Sequence, residues 1–218
     1  MRFVAAFSAA VLMCGSTAFA QTAPATQDED RGYAELQLHS AFGNVTSQSY
    51  GAEIGVTVRP QLQVFVEVGM VRDVATTDIG ASAQLIAGFL SQTQSNVAFK
   101  VKEPVTFGAA GVKYLIPTAS KLRPYVLGGF GIASVKQDVA FTVGGTDVTS
   151  SLATTYGVQL GTDLSGSFTK PMLVFGAGAQ YPAWRRLIVD AQFKFGRIFA
   201  EDSGINVSRA GIGVGVRF

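Results

Sequence analysis

The chain has 218 residues, of which 48% are apolar and only 15% charged, with 25 glycines and a mean hydropathy of +0.30. Soluble domains carry about 25% charged residues, yet beyond the N-terminus no apolar run approaches the ~18 residues of a helical membrane span. Helical membrane proteins are therefore excluded, and so is a disordered chain, because the sequence is apolar and nearly neutral.

The chain begins with Arg2, an apolar stretch from Phe3 to Cys14, and Ala18-Phe19-Ala20 before Gln21. A short positive region, a short apolar region and a small-x-small site predict a cleavable secretory signal peptide over residues 1–20. A lipoprotein anchor at Cys14 is disfavoured, since Met13 stands where lipoprotein signals carry a small residue. Cleavage removes Arg2 and lowers the formal net charge from +2 to +1. So weak a field excludes nucleic acid as a partner. It also removes the single cysteine, which excludes disulfides, thiol catalysis and cysteine-ligated metal. No cofactor is expected. An exported, apolar, cysteine-free chain fits an envelope protein.

Gln21 to Gly32 is polar and acidic and reads as a flexible periplasmic leader. From residue 33 to 218, residues alternate with a period of two. Ala34, Leu36 and Leu38 alternate with Glu35, Gln37 and His39. Ile54, Val56 and Val58 alternate with Glu53, Gly55 and Thr57. Leu62 to Met70 alternates around Gln63, Glu67 and Gly69, with Phe65 and Val71 breaking that polar face. Weaker alternation near Val105 to Ile116 sets Val112, Tyr114 and Ile116 against Gly111 and Lys113. Tyr125 to Gln137 is apolar on both faces, so its phase, and with it the side taken by Lys136, stays open. Leu173 to Tyr181 alternates with Gly176, Gly178 and Gln180, and Val189 to Phe195 with Asp190, Gln192 and Lys194. Last, Ala210, Ile212, Val214, Val216 and Phe218 form one face, and Arg209, Gly211, Gly213, Gly215 and Arg217 the other. An apolar outside and a polar or side-chain-free inside predict strands between lipid and a crowded interior.

These segments make eight strands. Three connections are tight and combine Pro with Arg: Arg59-Pro60-Gln61, Pro117 to Pro124, and Pro182 to Arg186. The others, Gly43 to Ser49, Val74 to Pro104, Val139 to Pro171 and Ala200 to Asn206, are longer. Short turns alternating with long loops predict an all-β, eight-stranded antiparallel up-and-down transmembrane β-barrel. Helical spacing over Ile79 to Leu90 predicts a short helix in the first long loop, with weaker helical character over Leu152 to Leu164. Tyr33, Tyr114, Tyr125, Tyr181 and Trp184 cluster at the tight-turn end and are expected to form an aromatic girdle at headgroup level.

The signal peptide, eight amphipathic strands, three tight turns and final Val214-Gly215-Val216-Arg217-Phe218 resemble small outer-membrane β-barrel proteins, the group that includes the OmpA transmembrane domain, OmpX and OmpW. The resemblance implies integral placement in a bacterial outer membrane, surrounded by its lipid. It also implies that Ile212, Val214, Val216 and Phe218 form the signal read by the barrel-insertion machinery. Since the chain stops at Phe218, the peptidoglycan-binding domain of full OmpA-like proteins is not expected.

The alternation directs Glu35, Glu53, Glu67 and Asp190 inward, together with Lys113, Lys194 and Arg209. Buried charges must pair, so a lumen charge network is expected. An eight-stranded interior is only wide enough for side chains to fill, which favours a closed lumen over an ion pathway. His39, the single histidine, lacks partners at metal-ligand spacing. Ser40 points to the opposite face and cannot pair with it as a nucleophile. Enzyme activity is therefore not expected. Two functions remain: a structural or surface-interaction barrel whose long loops meet an unknown partner, and a narrow channel for small or hydrophobic solutes, as in OmpW. A lipid-modifying enzyme ranks behind both.

Overall fold

A computed structural model describes residues 31–200 and 204–218. The predicted signal peptide and nearly all of the predicted leader lie outside the described residues. Fifteen short elements follow. β1 (Gly32–Phe42), β2 (Ser47–Arg59) and β3 (Leu62–Val71) lead into α1 (Thr77–Leu90) and β4 (Val97–Lys102). β5 (Val105–Leu115) and β6 (Arg123–Lys136) precede β7 (Asp138–Val143) and β8 (Thr146–Asp147). A 3-10 turn (Thr149–Ser151), α2 (Leu152–Thr155) and α3 (Thr162–Ser165) come next. β9 (Ser167–Trp184), β10 (Leu187–Ile198) and β11 (Ile205–Arg217) end the chain.

Eight strands close into one antiparallel barrel in the order β1-β11-β10-β9-β6-β5-β3-β2. Closure leaves no open edge, so every strand finds its backbone partners within the sheet. The seam is complete to its end: Gly32 and Phe218 exchange backbone hydrogen bonds of 3.0 and 2.9 Å. Tyr33, Gly55, Phe65, Gly111, Gly129, Val174, Gly196 and Val207 lie opposite one another in succession around the wall. Continued one residue beyond the Ser208–Phe42 pair, this path returns level with Gly43, just past the end of β1 and ten residues beyond Tyr33. With strands about 4.8 Å apart rising about 3.3 Å per residue, a stagger of ten gives a tilt of about 41° and a backbone radius of about 8 Å. Side chains reaching inward from such a wall meet across the axis.

The connections sharpen three expectations. Pro60 and Gln61 alone separate β2 from β3. Pro182 belongs to β9 rather than to a turn, beside a register shift in which Leu187 faces Trp184 and Ile188 faces Pro182. A bulge is a place where a strand tolerates proline. β9 also starts earlier than expected, at Ser167, so Pro171 is inside it.

Beyond the barrel, the two long loops fold together. β4, β7 and β8 form a second sheet in the order β4-β7-β8, its β7–β8 hairpin turning at Gly144 and Gly145 with φ of +57° and +84°. Two successive positive φ values suit glycine and match the twist of a two-residue hairpin. α1 packs on this sheet with one stripe, Ile79, Ala83, Ala87 and Leu90, all buried. These residues share an apolar core with Phe141, Val139, Val148, Leu152 and Leu164, separate from the barrel interior. The helix predicted over Ile79 to Leu90 is thus present, and the second long loop contributes the short α2 and α3.

Candidate functional site

Period-two alternation puts odd-numbered residues of β1, β2, β3, β5, β6 and β11, and even-numbered residues of β9 and β10, inside the barrel. The outside is apolar and bare: Leu36 is 72% exposed, Phe130 74%, Ile132 62% and Ile212 54%. An apolar surface of this extent needs an apolar surrounding.

The seven charged residues expected inside, Glu35, Glu53, Glu67, Lys113, Asp190, Lys194 and Arg209, are all buried. Glu53 is the hub. Its two carboxylate oxygens each lie 2.7 Å from a cation, Lys113 on one side and Lys194 on the other. Tyr33 and Gln37 donate to the same carboxylate. Lys194 also lies 3.1 Å from Glu67, whose other oxygen is 2.9 Å from Arg209. The chain of charge thus runs Lys113, Glu53, Lys194, Glu67, Arg209 across five strands. Asp190 sits at its edge, 3.9 Å from Lys113, accepting the Tyr125 hydroxyl at 2.8 Å. Glu35 meets amides, Gln37 at 2.7 Å and Gln192 at 3.4 Å.

Four acids face three bases, so the pairing is uneven. Glu53 and Glu67 hold the cations, while Asp190 and Glu35 rely chiefly on neutral donors. Charges this far from water must keep such partners, since an uncompensated buried ion costs several kcal/mol.

Aromatic rings line the same network. Lys113 Nζ stands 4.5 Å from the ring centre of Tyr33 and 4.3 Å from that of Tyr125, and the Arg209 guanidinium stands 4.3 Å from that of Phe107. Tyr33 and Tyr125, expected in the outer girdle, are therefore inside, 2% and 1% exposed. Their hydroxyls reach Glu53 and Asp190, and a phenol that finds a carboxylate is better placed there than at a headgroup. The signal for Tyr33 was its parity, which it shares with Glu35 and Gln37. Tyr125 had none, because β6 is apolar on both faces. Tyr114, Tyr181 and Trp184 stand on the outer surface, 44%, 46% and 72% exposed. Ile212, Val214, Val216 and Phe218 are exposed along the outer face of β11. Lys136 is exposed too and takes no part in the network.

The lumen is not polar throughout. Val71, Val105, Val135, Met172, Ile198 and Ile205, from the long-loop ends of their strands, form an apolar layer above the charges. Phe65 and Val71, which interrupted the polar face of β3, belong to this packed interior. His39 is buried on β1 between these layers, its register partners being Gly211 and Ser49.

Where the lid meets the rim, Glu103 is 2% exposed and accepts a 2.6 Å hydrogen bond from the Thr76 amide at the start of α1. Burial pushes its carboxyl above the ordinary value, Asp73 and Asp78 add to the rise, and the Thr76 hydrogen bond opposes it. The Asp73 carboxylate in turn accepts the backbone amides of Ala75 and Glu103, each at 3.0 Å.

The sequence matches the outer membrane protein beta-barrel domain over residues 7–218. A search of curated proteins finds no match. Among solved structures, the chain resembles Neisserial surface protein A, with a TM-score of 0.53 at 14% identity, covering 86% of this chain and 96% of that one. A major outer membrane protein from Thermus thermophilus aligns with a TM-score of 0.50 at 11% identity, covering 86% and 99%. The N-terminal β-barrel domain of Pseudomonas aeruginosa OprF aligns at 0.48 with 18% identity, covering 85% and 97%. At such identities the likeness concerns the fold alone. Nevertheless, a chain that closes its sheet on itself, turns its apolar side outward and matches this domain almost from end to end belongs to the outer membrane protein β-barrel family, proteins of the bacterial outer membrane.

Proposed function

We propose that this protein is a closed, non-conducting scaffold that holds a folded lid at the cell surface for interaction with an external partner. In barrels of this type the short turns face the periplasm and the longer loops face outward. That orientation puts α1, β4, β7 and β8 outside the cell. The observation that carries the reading is that these loops have their own apolar core, built around Phe141, Leu90 and Leu152. Loops on a rigid scaffold are where binding resides, and a loop that only joined two strands would need no such core. On the outer side of α1, Leu85 and Phe89 lie one turn apart, 77% and 56% exposed. An exposed apolar pair of this kind favours docking.

Below the lid, the charge network and the apolar layer support a filled lumen. Glu67, Lys113, Asp190 and Lys194 are 0% exposed, which leaves no wet path along them. The narrow-channel reading would need one. Residues 1–20 act as the export signal in this account. Tyr114, Tyr181 and Trp184 anchor the turn end at headgroup level, and the apolar outer face of β11 ending at Phe218 engages the insertion machinery.

Two measurements test this. An epitope inserted between Gly144 and Gly145 should be labelled on intact cells, and labelling only after lysis would overturn the orientation. Pure folded protein in a planar bilayer should give no steady single-channel current, and a reproducible conductance would overturn the closed lumen.

A further inference from the structure

Exposed charge is distributed unevenly along the barrel axis. At the periplasmic end, Arg31, Arg59, Lys121, Arg185 and Arg186 are all exposed. Arg123 and Arg217 lie at the same rim. Among the described residues, neither the three turns nor the strand ends that flank them contain an Asp or Glu. The opposite end mixes both signs: Asp73, Asp78, Asp138 and Asp147 stand with Arg72, Lys100, Lys102 and Arg197. A rim of one sign at headgroup level is a site for the opposite sign, because Lys and Arg near a membrane surface attract anionic lipid.

A second feature lies just above this rim. On the outer wall of β11, β1, β2 and β3 there is a groove of about 550 Å³. Ala34 and Ala52 leave it open between Leu36, Ile54, Val66 and Val214. Arg31 immediately precedes β1, three residues from Ala34, and is tied to β2 by a 2.9 Å hydrogen bond from the Thr57 amide. Small residues flanked by branched ones make an acyl-sized depression, with cations at its periplasmic mouth.

We propose that the periplasmic rim binds anionic phospholipid of the inner leaflet, its phosphate held by the basic residues and an acyl chain laid in the Ala34–Ala52 groove. The proposal takes from the family only which end faces the periplasm. The phosphodiester of a net-anionic lipid matches the rim better than a zwitterionic headgroup, whose own ammonium would be repelled. Trp184 and Tyr181, exposed beside Arg185, hold the same end at the interface.

The mature chain, reconstituted in vesicles, is probed with spin-labelled phosphatidylglycerol and phosphatidylcholine. A preference for phosphatidylglycerol is expected, of roughly fivefold for each effective cation contact, and weakened by salt. Combined Arg31→Gln, Arg59→Gln, Lys121→Gln, Arg185→Gln and Arg186→Gln should bring it close to parity, while Lys100→Gln with Lys102→Gln on the lid should leave it. Heat-dependent gel migration checks that each variant is folded. Parity in the wild type, or a preference that survives the combined neutralisation of the rim, would overturn the proposal. So would a preference seen only after neutralising Asp28, Glu29 and Asp30, which would assign the rim to the chain's own leader. Ala34→Leu with Ala52→Leu should lower the preference without touching a charge, and no change there would overturn the acyl-chain part.

Discussion

The ring of Tyr125 lies over Gly178, the residue directly opposite it on β9, so closely that a Cβ on Gly178 would overlap the tyrosine hydroxyl. The same relation joins Tyr33 to Gly55 and Phe107 to Gly69. Each of these rings then offers its face to a lumen cation, Lys113 for the two tyrosines and Arg209 for Phe107. A missing Cβ on one strand thus lets a ring from the next strand lie against the wall, where it can stack with a buried charge.

Replacing Gly178 by Val should therefore displace Tyr125 and weaken its hydrogen bond to Asp190. Overpacking of this kind costs about 1–3 kcal/mol. The loss would be read from the urea midpoint, followed by the fluorescence of Trp184, the single tryptophan. Gly80→Ala on α1, where a Cβ meets nothing within 4 Å, is the control and should lose no stability.

Glu53 and Glu35 face the same lumen but should respond differently. Glu53→Ala leaves Lys113 and Lys194 short of a counter-ion, and breaking a buried pair costs about 3–5 kcal/mol. Glu35→Gln keeps an acceptor for Gln37 and Gln192 and removes no ion pair, so a change within about 1 kcal/mol is expected. Urea unfolding of the two variants side by side checks this, and equal losses would contradict the hub role of Glu53.

Phe141→Ala should loosen the lid and spare the barrel. Phe141 is 0% exposed in the lid core, and truncating such a ring costs about 3–5 kcal/mol. Hydrogen exchange should show lost protection over Thr77–Leu90, while the heat-dependent gel shift of the barrel persists.

Acid should tighten the junction of lid and rim at Glu103. Its folded value is raised above the ordinary carboxylate value, so the ionised form is disfavoured in the folded lid. That unfavourable contribution is fully present above the raised value. It fades as pH falls toward the ordinary value of 4.5 and is absent below it. Protection of α1 amides, corrected for intrinsic exchange, should rise over that window. Glu103→Gln, which can still accept from Thr76, should match or exceed wild-type protection at pH 7 and flatten the dependence.

Much of the architecture is legible in the residue order, because a two-residue period says which side of a strand each residue takes. The outward Ile212, Val214 and Val216 and the inward Glu53, Glu67 and Lys194 follow from local alternation alone. Where alternation fails, the reading fails with it. β6 has apolar residues on both faces, so the side of Lys136 stays open, and Tyr125, expected in the girdle from its place near a tight turn, lies inside because β5 and β9 fix the phase. Tyr33 shares the parity of Glu35, yet its place at the tight-turn end suggests the girdle. Its hydrogen bond to Glu53 depends on β2 lying alongside, which no local pattern shows.

The strands of the barrel, its apolar exterior, the inward charges and the helix over Ile79 to Leu90 are written in residues two to four positions apart. The joining of Lys113 to Lys194 by Glu53, the meeting of Tyr125 with Asp190 across 65 residues and the single core of the two long loops around Phe141 arise only once the sheet has closed. Those contacts depend on strand register and on a stagger of ten around the barrel, properties of the closed sheet that no single strand carries.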